Sequence, residues 1–433
     1  MGRRLLSSVL AGLLAVLSAC AEGSSTEPPP AAEVPFPVGV AVHPAGFALV
    51  VTSNFDMRYR SGTLQVIDVN RLAERIESGS ALDGDNRDLI IEDRAVAIPS
   101  FAASIELDSD GQAGLAAVTC RQTSQLLLFD LEVTGAAGDG PQIEVSCWAG
   151  EDAGSDQLPS CHGSRSVLEL PHDDPFDILM QPQLADENDD WSARSWSLWL
   201  SYLRSGQVTE IQVPEGRPQP DIEQLPQVVR EVDTGSQGVN ELARSPLNGY
   251  IYATSRFNTS QSNPIQFFDP DEAEHPALHS LELFRILLGN ETRGIGFGPD
   301  GQTLGVIVRN PDLLAFLDTT PGSDGVPVNR VTGQVVLEDN PAHLEFVGEN
   351  MVLVSDPESD TLALVDSSSM RLVQMSDDIC RGPYDLDLWK KDGRHWALVA
   401  CFEEDVVAVV DMDPDSETFF QVLAKVGKAR EER

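Results

Sequence analysis

The sequence predicts an all-β protein, a seven-bladed β-propeller built from four-stranded antiparallel blades. One unit recurs seven times along the chain: an apolar strand, a tight turn, a second apolar strand, a polar loop and a strand that ends near an aspartate. The clearest copy spans residues 294–308 and closes with Phe316-Leu317-Asp318. Regular copies are about 50 residues apart, close to the length of a four-stranded blade, whereas solenoid repeats are shorter or helical.

The turns and the closing strands support this repeat. Glycine or asparagine supplies the positive φ that a hairpin needs in six units, at 43–46, 108–111, 245–249, 298–301, 348–350 and 391–393. The third unit has an acidic insertion at 185–190 in place of this turn. Six closing strands carry an aspartate, at Asp68, Asp130, Asp269, Asp318, Asp366 and Asp411, whereas the third unit has Thr209-Glu210-Ile211.

This repeat resembles the YVTN/YncE-like seven-bladed propeller family, in which each unit runs from a proline or glycine start to a strand ending in Val-Ile-Asp. The resemblance covers about residues 36–426 and implies the fold. It does not imply one function, because propellers host binding, scaffolding and catalysis alike. We therefore expect one domain over residues 35–426 and a charged C-terminal tail at 427–433.

The sequence allows two ways of closing the ring. The last unit contains a fourth strand of its own at 418–424, which leaves no strand position for the N-terminus. Alternatively, residues 31–36 pair with the last blade, and the blade boundaries then shift slightly. Both solutions keep seven units.

The N-terminus has the features of a lipoprotein signal peptide over residues 1–19. Arg3 and Arg4 precede an apolar run at 9–17, and the small residue Ala19 precedes Cys20, which is the expected lipidation site. A membrane helix fits poorly, because this run is about half of the roughly 20 residues that cross a bilayer. Residues 20–34 predict the lipidated cysteine and a flexible proline-rich tether.

The resemblance to bacterial lipoproteins implies a location. Ala21, rather than aspartate, follows the lipidated cysteine, which implies attachment to the outer membrane of a bacterial cell envelope, on its periplasmic or surface face. The membrane is then a partner through the N-terminal lipid. The net charge of −40 argues against nucleic acid as a partner and is typical of a solvated acidic surface.

Five of the six cysteines follow Cys20, and in an exported protein they are candidates for disulfides. Cys380 leads into the first strand of the last unit and Cys401 ends its second strand, so the two are neighbours in a hairpin. We predict a Cys380–Cys401 disulfide and, secondly, a Cys147–Cys161 disulfide with Cys120 free. Pairing of Cys120 with Cys147 or Cys161 stays open.

Four consecutive units carry an arginine where the second strand turns toward the third: Arg121, Arg204, Arg256 and Arg309. Loops at this position ring the mouth of the central channel. Guanidinium groups that converge there would bind a carboxylate, a phosphate or an acidic peptide through bidentate hydrogen bonds. The alternative is that each arginine bonds the carbonyls of its own loop or an aspartate of the next blade.

The sequence offers two further candidate sites. The alternating carboxylates of Asp411, Asp413 and Asp415 favour calcium, although a strand-to-strand turn also favours aspartate and proline. His343 lies near the start of a first strand, close to the axis, where it suits either a structural role or acid-base chemistry. The seven histidines do not recur at equivalent positions, as the ligands of a copper-bearing propeller enzyme would.

The sequence therefore favours a lipid-anchored, extracytoplasmic propeller that binds a ligand or an envelope protein without catalysis and without a cofactor, unless calcium binds. The alternative is a periplasmic propeller enzyme of the lactonase or hydrolase type, or a redox-enzyme subunit. A lactonase would need acidic residues around a metal in the channel.

Overall fold

The fold is a ring of seven blades. Each blade is a four-stranded antiparallel sheet in which consecutive strands of the chain are neighbours. A computed structural model describes residues 27–79, 86–135, 140–148, 158–161, 165–183, 191, 194–214, 225–256, 265–272, 276–281 and 291–430. The acidic insertion predicted at 185–190 and Cys20 lie outside these residues. The predicted seven-bladed fold is confirmed.

The strands of the first four blades follow in chain order. Blade 1 contains β1 Pro37–His43, β2 Phe47–Thr52, β3 Gly62–Asp68 and β4 Val96–Ile98. Blade 2 contains β5 Ala102–Ser109, β6 Ala113–Cys120, β7 Gln125–Thr134 and β8 Gln142–Cys147, and β9 Val167–Glu169 also pairs with β7. Blade 3 contains β10 Pro175–Gln183, β11 Ser195–Tyr202, β12 Gln207–Val213 and β13 Gln227–Asp233. Blade 4 contains β14 Val239–Arg244, β15 Ile251–Ser255, β16 Ile265–Phe268 and β17 His279–Leu281.

The last three blades are more regular. Blade 5 contains β18 Glu291–Phe297, β19 Thr303–Arg309, β20 Leu313–Asp318 and β21 Arg330–Val336. Blade 6 contains β22 His343–Val347, β23 Met351–Asp356, β24 Thr361–Asp366 and β25 Arg371–Ser376. Blade 7 contains β26 Pro383–Lys391, β27 Arg394–Cys401, β28 Val406–Asp411 and β29 Val422–Gly427.

Helix α1, Val69–Glu77, follows the third strand of blade 1 directly. It begins there because the side chain of Asp68, the aspartate that closes this strand, accepts a hydrogen bond from the Arg71 N–H as an N-cap. Two short 3₁₀ turns follow at Arg87–Leu89 and Glu92–Arg94. Among the described residues no helix is long and apolar enough to cross a membrane.

The hydrophobic core is divided into seven clusters, one at each junction between neighbouring blades. Side chains alternate between the two faces of a strand, so each blade supplies both of its junctions. In β27, for example, Ala397 and Val399 pack toward blade 6, whereas Trp396 and Leu398 pack toward blade 1. The apolar second and third strands of the repeat are therefore buried on both faces.

The ring closes without a shared strand, because β29 belongs to the same chain segment as the rest of blade 7. The strand that the sequence predicts at 418–424 is present but begins at Val422. Asp405 provides the link instead: its Oδ1 accepts the Phe36 N–H at 2.8 Å, and both of its oxygens accept from Arg430. Arg430, in the predicted tail, also lies 3.7 Å from the Phe36 ring centroid.

The end of the predicted tether contacts the propeller. Val34 is fully buried in the cluster between blades 7 and 1. The Pro30 carbonyl accepts a hydrogen bond from Gln65, and Glu33 pairs with Arg87. These contacts bind residues 30–34 to the ring, so the described part of the predicted tether does not hang free of it.

Both predicted disulfides are present. Cys380 and Cys401 are joined with a Cα–Cα distance of 6.0 Å, and Cys147 and Cys161 with a distance of 5.4 Å. Cys120 is free and buried, as the second prediction required. The first bridge spans the hairpin of β26 and β27, in which Cys401 is opposite Pro383.

We predict that Asp405→Asn weakens ring closure. Asparagine tolerates the left-handed backbone of this residue, with φ of 62°, but it has no charge for Arg430. The free energy of unfolding should fall by about 2 kcal/mol, measured by urea denaturation. Asp93→Asn, at a side chain that is 73% exposed, is the control and should change little. Equal stability of the two variants would contradict this account of closure.

Candidate functional site

The seven first strands surround a cavity of about 600 Å³ on the axis of the ring. Six of these strands contain a register shift near their start, and only that of blade 6 pairs regularly. Such a bulge re-aims the side chains that it contains. In blades 3, 4 and 5 the shifted segments contain Asp177, Glu241 and Arg293, all of which line the cavity.

The strand registers define two levels of the channel. The upper ring consists of the residues at the bulge or its equivalent, which are Gly39, Ser104, Asp177, Glu241, Gly294, His343 and Asp385. The lower ring lies two residues further along each strand and consists of Ala41, Glu106, Leu179, Ala243, Gly296, Glu345 and Asp387. Residues two positions apart in a strand lie on the same face, so the lower ring repeats the upper ring one level further along the axis.

Carboxylates of the upper ring join neighbouring blades. Asp177 accepts a hydrogen bond from the Leu242 N–H at 2.8 Å, and Glu241 accepts one from Ile295 at 3.3 Å. Asp385 accepts from Val40 at 2.9 Å across the closure of the ring. The same bond thus recurs at three junctions, and in the lower ring Asp387 accepts from Val42 at 2.6 Å.

Hydroxyl groups of the second strands make a second repeated link. Thr119 Oγ1 donates to the Phe176 carbonyl at 2.8 Å, and Ser355 Oγ donates to the Tyr384 carbonyl at 2.9 Å. The Ser201 hydroxyl makes the equivalent bond to the Asn240 carbonyl at 2.5 Å. Polar groups on the channel side of the ring therefore replace the strand pairing that an inner edge lacks.

The channel holds more carboxylates than these links need. Among the described residues, neither Glu106 nor Glu345 of the lower ring has a hydrogen-bonding partner. Burial, helped by Asp177 and other carboxylates, raises the pKa of Glu106 well above its usual value. Burial and the nearby Asp387 raise the pKa of Glu345 to about 7.

His343 is the cation of the upper ring. Its Nδ1 lies 3.6 Å from Glu241 Oε1, and its Nε2 lies 3.5 Å from Asp385 Oδ1. Burial lowers the pKa of His343, but the two carboxylates outweigh burial and raise this pKa to about 10. Burial and Glu241 also raise the pKa of Asp177 to about 8. The imidazolium of blade 6 is therefore held between a carboxylate of blade 4 and one of blade 7.

The first two predicted arginines bond the protein itself. Arg121 Nε lies 2.6 Å from Asp174 Oδ1, next to the following blade, and its guanidinium is 5.8 Å from the Phe176 ring centroid. Arg204 Nε lies 3.6 Å from the other oxygen of Asp174, and the Arg204 side chain is 76% exposed. Arg121 thus matches the structural alternative, and neither of these two lines the cavity.

The other two predicted arginines, Arg256 and Arg309, line the cavity together with Arg293. Arg309 donates to the carbonyls of Pro341 at 2.9 Å and of Asn340 at 2.6 Å. Arg293 forms an ion pair with Glu291 on its own strand. We call these three residues of blades 4 and 5 the arginine arc.

The guanidinium groups of the arginine arc lie close enough to repel each other. Burial, followed by Arg309 and Arg256, lowers the pKa of Arg293 to about 10. Burial also lowers the pKa of Arg309, and Arg256 adds to this. A like-charge cluster in a partly desolvated position favours the entry of an anion.

The predicted calcium ligands cap their own loop. Asp411 accepts from the Asp413 N–H at 3.0 Å and from the Thr418 hydroxyl at 2.6 Å, and Asp413 accepts from the Asp415 N–H at 3.0 Å. These bonds are typical of aspartates in turns. Calcium at this loop stays a prediction. Within the described ranges no group of three or more His, Cys, Asp or Glu residues is arranged to hold a metal ion.

Sequence reasoning missed Arg293 and the channel carboxylates. The predicted arginines lie where a second strand turns toward a third, whereas Arg293 lies inside a first strand. The residues at its position in blades 4 and 3 are Asn240 and Phe176. A signal existed in Pro175-Phe176-Asp177 and Pro383-Tyr384-Asp385, which place an aspartate at the same point of two blades.

No protein-family model and no curated protein matches this chain. Its fold is similar to solved structures. Hydrazine synthase of Kuenenia stuttgartiensis matches with a TM-score of 0.55 at 11% identity, covering 92% of this chain and 99% of that one. The β-propeller domain of Cps50 (Swd1) from Myceliophteria thermophila matches with a TM-score of 0.50 at 11% identity, covering 89% and 94%.

Identities this low show the fold alone. Together with the seven sheets they place the chain in the class of seven-bladed β-propellers.

The channel pKa values predict that stability falls as pH rises from about 5 to about 9. The folded pKa values of Glu345, Asp177 and His343 all exceed those of the unfolded chain. Over this range the folded state therefore holds more protons, so its free energy of unfolding decreases with pH. Thermal melts across this range measure the effect.

The double variant Glu106→Gln, Glu345→Gln tests the cause. It removes two channel carboxylates, so the melting temperature should rise at about pH 8 and depend less on pH. Glu349→Gln, in an exposed turn, is the matched control and should keep the wild-type profile. An unchanged profile in the double variant would show that other groups control the pH dependence.

Proposed function

We propose that this protein is a lipid-anchored, extracytoplasmic propeller of the YVTN/YncE-like kind that binds an anionic ligand or an acidic envelope protein and catalyses no reaction. The bound anion lies at the arginine arc. The observation that carries this proposal is the convergence of Arg256, Arg293 and Arg309 on one cavity.

Electrostatics supports an anion at this place. Three guanidinium groups line the cavity; Glu291 forms an ion pair with Arg293, and Glu358 is also part of the lining. The chain as a whole has a net charge of −40, so most of its surface repels an anion and the arginine arc attracts one. Guanidinium groups bind carboxylates and phosphates through paired N–H groups, which also fixes the orientation of the ligand.

The absence of catalysis is proposed from the roles of the channel groups. Asp177, Glu241 and Asp385 already accept backbone N–H groups of the next blade. His343 lies between two of these carboxylates. Groups held in this way stabilise the ring and have limited freedom to exchange protons with a substrate.

We predict that Arg256→Ala with Arg293→Ala strongly weakens anion binding without unfolding the protein. The probe is inorganic phosphate, and binding is measured by calorimetry with the full chain at low ionic strength. Affinity should fall about 30-fold or more, since hydrogen bonds to charged groups contribute about 1.5–3 kcal/mol each. The control is Arg330→Ala, at an arginine that is 74% exposed and remote from the cavity. Equal binding by wild type and the double variant would refute the site.

Lipid attachment has its own test. In bacterial cells fed with labelled palmitate, the full chain should take up the label and the Cys20→Ala variant should not. The variant should also leave the membrane fraction, since no other anchor is proposed. Label in the variant, or none in the wild type, would contradict attachment at Cys20.

An enzyme of the lactonase or hydrolase type, or a redox-enzyme subunit, is the second candidate. Glu106 and Glu345, which have no hydrogen-bonding partner in the described part of the chain, favour it, because their raised pKa values are typical of general acids. Elemental analysis and a screen of lactone hydrolysis test this candidate. Turnover that is lost in Glu345→Gln but kept in Arg256→Ala would replace the binding function by an enzymatic one.

A further inference from the structure

Five aromatic side chains form a continuous cluster beside the arginine-lined cavity; four of them are at least partly exposed, and the fifth, Phe36, is buried. We call this cluster the aromatic rim; it consists of Phe36, Phe55, Phe101, Tyr384 and Phe402. The Phe402 ring centroid is 5.2 Å from that of Phe36, 5.4 Å from that of Phe55 and 6.0 Å from that of Tyr384. Phe402 and Tyr384 line the cavity, so the rim leads from the channel to the outside.

The outer end of the rim is open to solvent. Phe55 is 55% exposed, although it packs against three other rings, and Met57 nearby is 43% exposed. Contiguous apolar surface of this kind on a solvent-exposed face marks a place where apolar groups bind. It lies over blades 7, 1 and 2, and the arginine arc lies over blades 4 and 5.

The rim is held rigidly by backbone contacts. Phe36 and Phe101 both have positive φ, at 52° and 59°, which is unfavourable for a bulky residue. The Phe36 N–H is bound by Asp405 at 2.8 Å, and the Phe101 N–H is bound by the Ser53 carbonyl at 2.7 Å. A surface fixed in this way loses little conformational entropy when a ligand binds.

We infer that the ligand is an amphiphilic carboxylate, with one anionic head and an alkyl or aryl tail. The head binds the arginine arc, and the tail crosses Tyr384 and Phe402 toward Phe55. This inference rests on the proposed function and adds the chemical class of the ligand. A cavity of about 600 Å³ is in the size range of sites for such molecules.

The other charges of the cavity restrict the head to the arginine arc. Glu358 and Glu403 line the mouth on the side of blades 6 and 7, and the upper-ring carboxylates lie below. Each repels an anion, and the repulsion grows with the charge of the head. A single carboxylate is therefore favoured over a head of higher charge, and the tail follows the aromatic side chains of the rim.

The test compares three probes with the full chain carrying Cys20→Ala, which removes the lipid and the need for detergent. The probes are decanoate, acetate and decan-1-ol below their aggregation limits, and calorimetry measures their affinities. Decanoate should bind at least about tenfold more tightly than either other probe, because only decanoate uses both surfaces.

Two variants separate the contributions. Phe55→Ala with Phe402→Ala should lower the affinity for decanoate about tenfold, toward that for acetate, and leave the affinity for acetate unchanged. Arg256→Ala should lower the affinity for both carboxylates. Phe55→Ala alone changes a largely exposed side chain and should reproduce part of the loss if the double variant unfolds. Val373→Ala, at a valine that is 49% exposed on an outer strand, is the control and should bind like wild type.

The outcomes distinguish this inference from the function on which it rests. If phosphate binds at the arginines but decanoate binds no better than acetate, the inference fails and the proposed function stands. If no anion binds, both fail. If decan-1-ol binds as tightly as decanoate, or if only an acidic probe such as triglutamate binds, the ligand is not an amphiphilic carboxylate.

Discussion

Each blade presents one unpaired strand edge to the channel, and the structure depends on how the backbone groups of those edges are satisfied. An unpaired buried N–H or C=O group costs free energy comparable to a lost hydrogen bond. Here the preceding blade supplies the partner, as Asp177 does for Leu242 and Asp385 does for Val40. The same bonds fix the spacing of neighbouring blades. A carboxylate reaches the first strand of the next blade only when the two blades pack closely against each other.

These links also explain the charge of the channel. Using carboxylates as partners concentrates negative charge on the axis, and His343 compensates only part of it. The raised pKa values of Asp177 and Glu345 are the result, so the channel stores protons that the unfolded chain would release. An acidic channel is thus a consequence of how the ring is held together, and its acidity alone does not identify an active site.

The fold followed from the sequence because its signals are local. Turn glycines such as Gly46 and Gly301 occur where a hairpin must reverse, and these two have the predicted positive φ. The closing aspartates lie at or near the ends of the third strands. The disulfide of Cys380 and Cys401 followed from the same hairpin register. These features depend on a few neighbouring residues, so periodicity reveals them.

The site was harder to predict because it depends on contacts between blades. Arg256 and Arg309 were identified from their loop positions, but the sequence could not show that Arg121 instead pairs with Asp174 of the next unit. Ring closure by Asp405 and Arg430 joins two ends of the chain that no repeat pattern connects. Bulges in the first strands shift the register by one residue, which hides Arg293 from a comparison of equivalent positions.

The distribution of side chains between the blades connects the scaffold with the proposed ligand. Blades 1 and 5 have no carboxylate in either ring, since their positions are occupied by Gly39 and Ala41 and by Gly294 and Gly296. At Gly294 a Cβ would come within 3.1 Å of His343 Cα and 3.0 Å of the Ala342 carbonyl oxygen, so close packing of blade 6 requires glycine there.

The arginine arc includes Arg293 of blade 5, and the aromatic rim includes Phe36 and Phe55 at blade 1. Blade 5 contributes no carboxylate to either ring, and its Glu291 is paired with Arg293, so an anionic head there meets the least repulsion from the rings. An apolar tail over blade 1 meets Val38, Val40 and Ala41. The two sectors that do not contribute carboxylates to the channel are therefore the two where an amphiphilic anion fits best.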